Sequence, residues 1–294
     1  MHNNSKFGLI TCLWLILFIS GCTPIPQITA SPTHPANPTS TLAPSATATP
    51  LPPTSTPTQI SFQVCSPLQG FTFTELVGIV KKPFRPPLPG KDDGHQGVDF
   101  SFWTYKDLTT LGGLPVPAEL DGKTMEGLPV QAVLSGKVAA VIHNRYPYGN
   151  MVIIESPLSA FPAAWGLRTP VPTREPIQTP DPALTCPAGS NDFNPNSTDL
   201  AIYLLYAHMD QPPDLKIGDA VTCGQVLGGV GTTGDSVNYH LHLEMRVGPS
   251  GATFPSMAHY WNDATNEEMH NYCMWRVSGA FQMLDPLQLF QTSP

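Results

Sequence analysis

The chain has 294 residues, of which 41% are hydrophobic and only 12% charged, and its formal net charge at pH 7 is −8. Its 14 lysines and arginines form no basic cluster, which excludes nucleic acid as an expected partner. After an apolar stretch and a proline-rich stretch at the start, the remainder has the length of one globular domain.

Residues 1–21 have the pattern of an export signal. Lys6 precedes an apolar run, Phe7–Ile19, that is too short for a helix that spans a membrane. The sequence then reads Ile19-Ser20-Gly21-Cys22, which resembles a bacterial lipobox, so we expect cleavage before Cys22 and a lipid on its thiol. The alternative is a short uncleaved anchor, which also leaves the protein on a membrane.

Residues 22–59 have the composition of a disordered stalk. Positions 23–59 hold 10 prolines and 14 serines or threonines and no Asp, Glu, Lys or Arg. Such a segment cannot bury enough apolar surface to offset the entropy that ordering costs. In a polyproline conformation of about 3.1 Å per residue, the stalk would reach roughly 100 Å from the membrane.

Residues 60–294 are predicted to form a single, mainly β domain. Short runs rich in Val, Ile and Leu, at residues 137–142, 150–155 and 200–206, alternate with Gly, Pro and Asn turns. We therefore expect a strongly curved antiparallel sheet, sandwich-like, with an open groove. A short helix is predicted around Glu267 to Tyr272, with no chemical role assigned to it.

Two long insertions interrupt this pattern, at residues 103–127 and 156–198. Long loops in compact domains are often functional. We expect both insertions to rim the groove and to influence which substrate is chosen or whether the site is accessible.

His95 and Asp99 form the first candidate metal-binding pair. Zinc bonds to imidazole nitrogen or carboxylate oxygen are about 2 Å long, so both side chains must converge on one point. The flanking Gly-Val-Asp-Phe-Ser-Phe favours extended chain, in which groups four residues apart would be separated by roughly 13 Å. A bend is therefore predicted between them, at Gly97, which tolerates one.

His240 and His242 follow strand periodicity instead. In Tyr-His-Leu-His-Leu-Glu-Met, the period of 2 places both histidines on one face, with Leu241 and Leu243 on the other. Positions two apart on a strand are roughly 7 Å apart, so one histidine is expected to bind metal and the other to face substrate. Two histidines and one carboxylate would leave the fourth position of a zinc ion open, which is the catalytic pattern.

The order His95-x-x-x-Asp99, Tyr206-x-His208 and His240-x-His242 resembles the lysostaphin/LytM-type zinc endopeptidases of peptidoglycan. The resemblance extends over roughly residues 80–290. Matching context lies at Lys82-Pro83-Phe84, residues 128–138, Tyr148-Gly149-Asn150, residues 218–228, Thr233-Gly234-Asp235-Ser236 and Asp285-Pro286-Leu287.

The resemblance implies zinc ligands His95, Asp99 and His242, and a non-ligand catalytic pair, His208 and His240. It implies a zinc (Zn²⁺) metallo-endopeptidase that hydrolyses stem peptides or cross-bridges of peptidoglycan in the cell envelope. Either histidine of the pair fits the role of general base, and His240 is the favoured one. No feature of the sequence sets an oligomeric state.

Two other classes of protein share single features with this sequence. One is a non-catalytic lipoprotein that binds the wall or activates another hydrolase. The other is a biotinyl- or lipoyl-type carrier, which residues 217–247 exclude because they contain no lysine to modify. The remaining His143, His259 and His270 are expected to be surface or core residues outside the site.

Four cysteines follow Cys22, and an even number in an oxidising compartment predicts up to two disulfides. They are Cys65, Cys186, Cys223 and Cys273. We expect at least one disulfide among them, with three pairings open.

Overall fold

The computed structural model describes residues 62–88, 91–102, 110–111, 114–115, 124–161, 184–190 and 199–291. The predicted signal at 1–21 and the stalk at 22–59 lie outside these residues, as do most of the insertions at 103–127 and 156–198. The prediction of a mainly antiparallel β fold is confirmed, since every strand pairing in the described residues is antiparallel.

The described strands vary from two to ten residues in length. In chain order they are β1 (Val80–Lys82), β2 (Val98–Phe100), β3 (Thr110–Leu111), β4 (Leu114–Pro115), β5 (Pro129–Gln131), β6 (Gly136–Arg145), β7 (Gly149–Pro157), β8 (Leu200–Met209), β9 (Ala220–Val221), β10 (Val226–Gly229), β11 (Leu241–Pro249) and β12 (Gln282–Leu284). The helices are α1 (Phe73–Gly78), α2 (Asn266–Arg276) and α3 (Gln288–Gln291), and a 3₁₀ turn covers Leu158–Ala160.

The main sheet has the strand order β1-β2-β11-β8-β7-β6-β9, and β12 also pairs with β11. Two small sheets, β5 with β10 and β3 with β4, complete the described strands. The three runs that the sequence marks as strands lie within β6, β7 and β8. Strand β11 runs between β2 and β8, which brings the segments that carry the candidate site residues side by side.

The centre of the sheet is buried on both faces. In β8, Ile202 and Leu204 pack into one hydrophobic cluster, while Tyr203 and Leu205 pack into a second cluster on the opposite face. The second face is covered by the C-terminal segment, which contributes Trp275 of α2 among others. Apolar residues at consecutive positions are needed for burial on both faces, and this explains the unbroken runs in the sequence.

Helix α2 extends the predicted helix around Glu267–Tyr272 by a turn at its C-terminal end. It begins with a capping box, in which the Thr265 side chain accepts a hydrogen bond from the Glu268 backbone and the Glu268 side chain accepts one from the Thr265 backbone. Within the described part of the chain, no helix has the length and apolar character needed to cross a bilayer.

Two disulfides join distant segments and confirm the expectation of at least one. They are Cys65–Cys223 and Cys186–Cys273, with Cα atoms 5.6 and 5.9 Å apart. This is one of the three pairings left open by the sequence. The second bond attaches α2 to the described segment 184–190.

Candidate metal centre

Three predicted ligands converge at one point of the main sheet. The ligand atoms of His95, Asp99 and His242 all lie within 4.8 Å of one another. Asp99 Oδ1 is 3.0 Å from His95 Nε2 and 2.7 Å from His242 Nδ1. Among the described residues, this is the group of His, Cys, Asp and Glu side chains with the geometry to hold a metal ion.

Strand register and one bend produce this convergence. Asp99 in β2 lies directly opposite His242 in β11. The backbone bends at Gln96 and Gly97, as predicted, and this returns His95 to within reach of Asp99. A Cβ at Gly97 would lie 2.5 Å from the Leu243 carbonyl oxygen and 2.9 Å from the His242 ring, so glycine is required here for close approach to β11.

The hydrogen bonds of His95 test whether the site fits a metal ion. A carbonyl oxygen can only accept, so His95 Nδ1–H donates to the Pro83 carbonyl at 3.0 Å. In the neutral ring, Nε2 then presents a lone pair to Asp99 Oδ1 at 3.0 Å. Two acceptors at this distance attract only when a cation lies between them, and the donor set of two imidazoles and one carboxylate is one that zinc prefers.

His242 lies between two carboxylates. Its Nδ1 faces Asp99 at 2.7 Å and its Nε2 faces Glu244 Oε1 at 3.2 Å. Burial lowers the pKa of His242, but the hydrogen bonds to Asp99 and Glu244 outweigh it and raise the pKa to about 9. Burial likewise raises the pKa of Asp99, but the hydrogen bond from His242 and the charge of that ring hold it well below its ordinary value. The metal-free site is therefore a carboxylate–imidazolium cluster, in which a metal ion can take the place of the proton.

His208 reaches this cluster because β8 is irregular at its end. Regular alternation would place its side chain on the face of Tyr206, opposite to that of His242. The β7–β8 register shifts between Asn150 and Val152, and His208 has a left-handed φ of 61°. The irregularity turns the His208 ring to within 5.8 Å of the His242 ring between centroids, an effect typical of bulges near active sites.

The imidazoles of His208 and His240 are held in the same tautomer by backbone carbonyls. His208 Nδ1–H donates to the Thr233 carbonyl at 2.8 Å, and His240 Nδ1–H donates to the Asn238 carbonyl at 2.8 Å. Both rings therefore expose an Nε2 lone pair when neutral. Burial, together with the nearby His242 and His240, lowers the pKa of His208 to about 3, and burial also lowers the pKa of His240.

His240 lies nearer to the cluster than simple strand spacing suggests. It immediately precedes the first residue of β11, and its Nε2 is 3.7 Å from Asp99 Oδ1. Its ring centroid is 4.7 Å from that of His208. The structure thus brings all five predicted site residues together, while His143, His259 and His270 lie outside the cluster.

The residues that lie behind the ligands were not predicted from the sequence. Glu244 and Arg246 are fully buried, and both follow His242 at the strand period of 2, so the sequence contained the signal for their common face. Trp275 and Arg276 of α2 also bond to Glu244, at 2.8 and 3.1 Å. No sequence motif marks those two residues.

Comparison with known proteins gives one family match. Residues 197–253, which include His208, His240 and His242, match peptidase family M23. No curated protein matches the chain.

Several solved structures are similar to the chain. A protein from Pseudomonas aeruginosa described as a peptidase M23 is 16% identical, with 79% of this chain and 56% of that chain covered and a TM-score of 0.31. The catalytic domain of lysostaphin from Staphylococcus simulans is 20% identical, with coverages of 75% and 98% and a TM-score of 0.35. A zinc-containing peptidase from Vibrio cholerae is 20% identical, with coverages of 63% and 36% and a TM-score of 0.32. This chain thus spans about half of the Pseudomonas structure and about a third of the Vibrio structure.

The family match and the observed donor set agree with the metallopeptidase predicted from the motifs. The matched segment carries the Tyr-x-His and His-x-His motifs, and the His-Asp-His donor set suits the zinc ion on which such peptidases depend. The resemblance to lysostaphin/LytM-type metallo-endopeptidases is thereby confirmed by the match of residues 197–253 to peptidase family M23.

Proposed function

We propose that this protein is a zinc metallo-endopeptidase of the cell envelope that hydrolyses peptide bonds in the stems or cross-bridges of peptidoglycan. The observation that carries the proposal is the convergence of three metal donors with two neutral imidazoles within a few ångströms. The match of residues 197–253 to peptidase family M23 supports the same reaction class.

In this proposal, His95, Asp99 and His242 hold the zinc ion. His95 donates from Nδ1 to Pro83, and His242 has Glu244 behind its Nε2, so His95 Nε2 and His242 Nδ1 are the nitrogens directed toward Asp99. Three protein ligands leave a fourth position for water or substrate. The chemistry that zinc supplies when bound is Lewis acidity, which polarises a carbonyl and acidifies water toward neutral pH.

His240 is assigned the role of general base. Its Nδ1–H is committed to the Asn238 carbonyl, so its Nε2 lone pair is available to accept a proton from a water near the ligands. The same nitrogen can then return the proton to the amine that leaves when the peptide bond breaks. The lowered pKa of His240 keeps the ring neutral before the reaction at neutral pH.

His208 is assigned the stabilisation of the transition state, in which the Nε2 lone pair of its neutral ring accepts a hydrogen bond from the attacking water and keeps that water aligned. Its Nδ1–H is held by Thr233, and its ring packs beside that of His240. Burial favours its neutral form more strongly than that of His240, since its pKa falls to about 3. His208 therefore accepts a proton less readily than His240, which supports giving the role of base to His240.

We further propose that lipid on Cys22 anchors the protein to a membrane. The support is the Ile-Ser-Gly-Cys22 string at the end of an apolar run. The substitution Cys22→Ala should remove the protein from the membrane fraction or block signal processing. If the variant fractionates and migrates like wild type, the lipoprotein assignment is wrong.

A non-catalytic protein that binds the wall or activates another hydrolase is the alternative. The presence of all five site residues in one cluster argues against it. Incubation of zinc-loaded protein with purified sacculi separates the two functions. We expect release of peptide-containing fragments, whereas intact sacculi together with stably bound zinc would support the alternative.

A further inference from the structure

A fully buried carboxylate lies directly behind the candidate ligand His242. Glu244 is two residues further along β11, and its Oε1 is 3.2 Å from His242 Nε2. The other ring nitrogen, Nδ1, is the one that faces Asp99. A carboxylate bonded to the second nitrogen of a metal-binding histidine fixes the tautomer and the orientation of the ring. The position of Glu244 therefore determines where His242 Nδ1 points.

Helix α2 supplies two of the donors that hold Glu244. Trp275 Nε1–H donates to Glu244 Oε2 at 2.8 Å, and Arg276 Nη1 donates to Oε1 at 3.1 Å. The Tyr148 hydroxyl also donates to Oε1, at 2.8 Å, and Arg246 on the same strand donates to Oε2 at 2.8 Å. Each carboxylate oxygen is thus held by one residue of α2 together with a residue outside it, Tyr148 of the β6–β7 turn at Oε1 and Arg246 of β11 at Oε2.

Helix α2 is also tied to the segment that carries His95. Arg276 Nε donates to Asp92 Oδ1 at 2.7 Å, and the Gln96 side chain donates to the same oxygen at 2.9 Å. Gln96 in turn accepts from Arg246. Asp92 and Gln96 stand on either side of His95 in the chain, so Arg276 connects the two segments from which the candidate ligands come.

Glu244 and two of the residues that bond to it are fully buried. Glu244, Arg246 and Trp275 are each 0% exposed. A buried carboxylate without partners is strongly disfavoured, so Glu244 keeps its position behind His242 only while its donors stay in place. Helix α2 lies beyond residues 197–253, the segment that matches the peptidase family.

We propose that Trp275 and Arg276 are positioning residues for metal binding. They hold Glu244, and Glu244 holds the His242 ring in the orientation that directs Nδ1 toward zinc. The inference rests on the proposed function only for the assignment of His242 as a zinc ligand. It gives α2 a role in the site in addition to its role in covering the sheet.

The test measures zinc affinity in the absence of any substrate, by competition with a chromogenic chelator. Trp275→Phe removes the N–H donor and keeps a buried aromatic ring, and Arg276→Lys keeps the charge and loses the guanidinium geometry. We expect the dissociation constant for zinc to rise about tenfold in each variant. Glu244→Gln, which preserves side-chain volume, is measured alongside so that the result does not depend on one variant, and we expect a rise of about 10- to 100-fold.

Two matched control variants show whether zinc affinity depends on the bonds that position Glu244 or only on the packing of α2 against the sheet. Phe254→Leu reduces packing against Trp275, whose ring centroid is 5.5 Å away, and leaves the donors to Glu244 intact. Arg145→Lys weakens the ion pair between β6 and Glu268 of α2, at 2.7 Å, without touching Glu244. We expect both controls to bind zinc within about twofold of wild type.

A spectroscopic readout reports the same geometry. In protein loaded with Co²⁺ in place of zinc, the visible absorption bands should shift in the Trp275 and Arg276 variants and stay unchanged in the controls. The proposal is overturned if the two α2 variants bind zinc as wild type does, or if the controls lose affinity equally. A wild-type protein that binds no zinc would instead refute the proposed function, so the two failures are distinct.

Discussion

Replacing His242 and His240 separately by alanine should separate metal binding from proton transfer. His242→Ala removes the nitrogen that lies 2.7 Å from Asp99 Oδ1. Only His95 and Asp99 then remain as donors. Because structural and catalytic zinc sites use at least three protein ligands, we expect zinc to be lost on dialysis, and activity with it.

His240→Ala should leave the metal site intact. The three donors are unchanged, and His240 Nε2 is 3.7 Å from Asp99 Oδ1, beyond hydrogen-bond distance. Loss of an acid–base group typically reduces the rate at least about 100-fold, which corresponds to about 2.7 kcal/mol of transition-state stabilisation. We therefore expect close to one zinc per molecule and a turnover on peptidoglycan reduced by at least this factor.

The assay needs zinc content and turnover measured on the same dialysed preparations. His143→Ala is the matched control, because His143 is exposed on β6 and lies outside the cluster. It should match wild type in both measurements. Equal loss of zinc from the His240 and His242 variants would refute the division of roles, and full activity in His240→Ala would remove His240 from the mechanism.

Three further predictions concern the site and the fold. Gly97→Ala should destabilise the protein by about 1–3 kcal/mol in denaturant unfolding, because the added Cβ would lie 2.5 Å from the Leu243 carbonyl oxygen; unchanged stability would refute the close approach. The pKa of His242 is raised to about 9, so zinc must displace a proton from this ring at neutral pH. Zinc affinity should therefore fall about tenfold for each pH unit between pH 8 and pH 6. An affinity that does not depend on pH would contradict this. Thiol labelling of the denatured, unreduced domain, residues 60–294, should find no free thiol because both disulfides are formed, and four reactive thiols would show that they do not form.

The strands, and the face of β11 that carries the ligand, were predictable because burial of strand residues leaves a regular pattern of apolar positions in the sequence. The apolar runs within β7 and β8 reflect burial on both faces, and the alternation around His242 places Leu241 and Leu243 in the core. The bend at Gly97 was also predictable, although the reason for glycine there is the close approach of β11, which only the folded structure reveals.

The orientation of His208 was not predictable from strand periodicity. Alternation along β8 places it on the wrong face, and a bulge with a positive φ reverses it. A histidine does not signal such a backbone conformation as a glycine would. Its place in the site came from the motif resemblance rather than from the physics of the strand.

The residues that hold the ligands in place could be predicted only in part. Glu244 follows His242 at strand period, and the capping box at Thr265 and Glu268 marks the start of α2. The bond between Asp92 and Arg276 joins residues 184 positions apart, and nothing local in either segment indicates its partner. The pairing of the cysteines is unpredictable for the same reason.

The central claim is that this protein cleaves peptide bonds of peptidoglycan with zinc. Purified sacculi digested with the zinc-loaded protein, followed by mass analysis of the fragments, test it most directly. We expect new amino and carboxyl termini within stem peptides or cross-bridges, no new reducing sugar ends, and no release after zinc is removed by a chelator. Sacculi that release no peptide fragments, or that release them equally without zinc, would contradict the account.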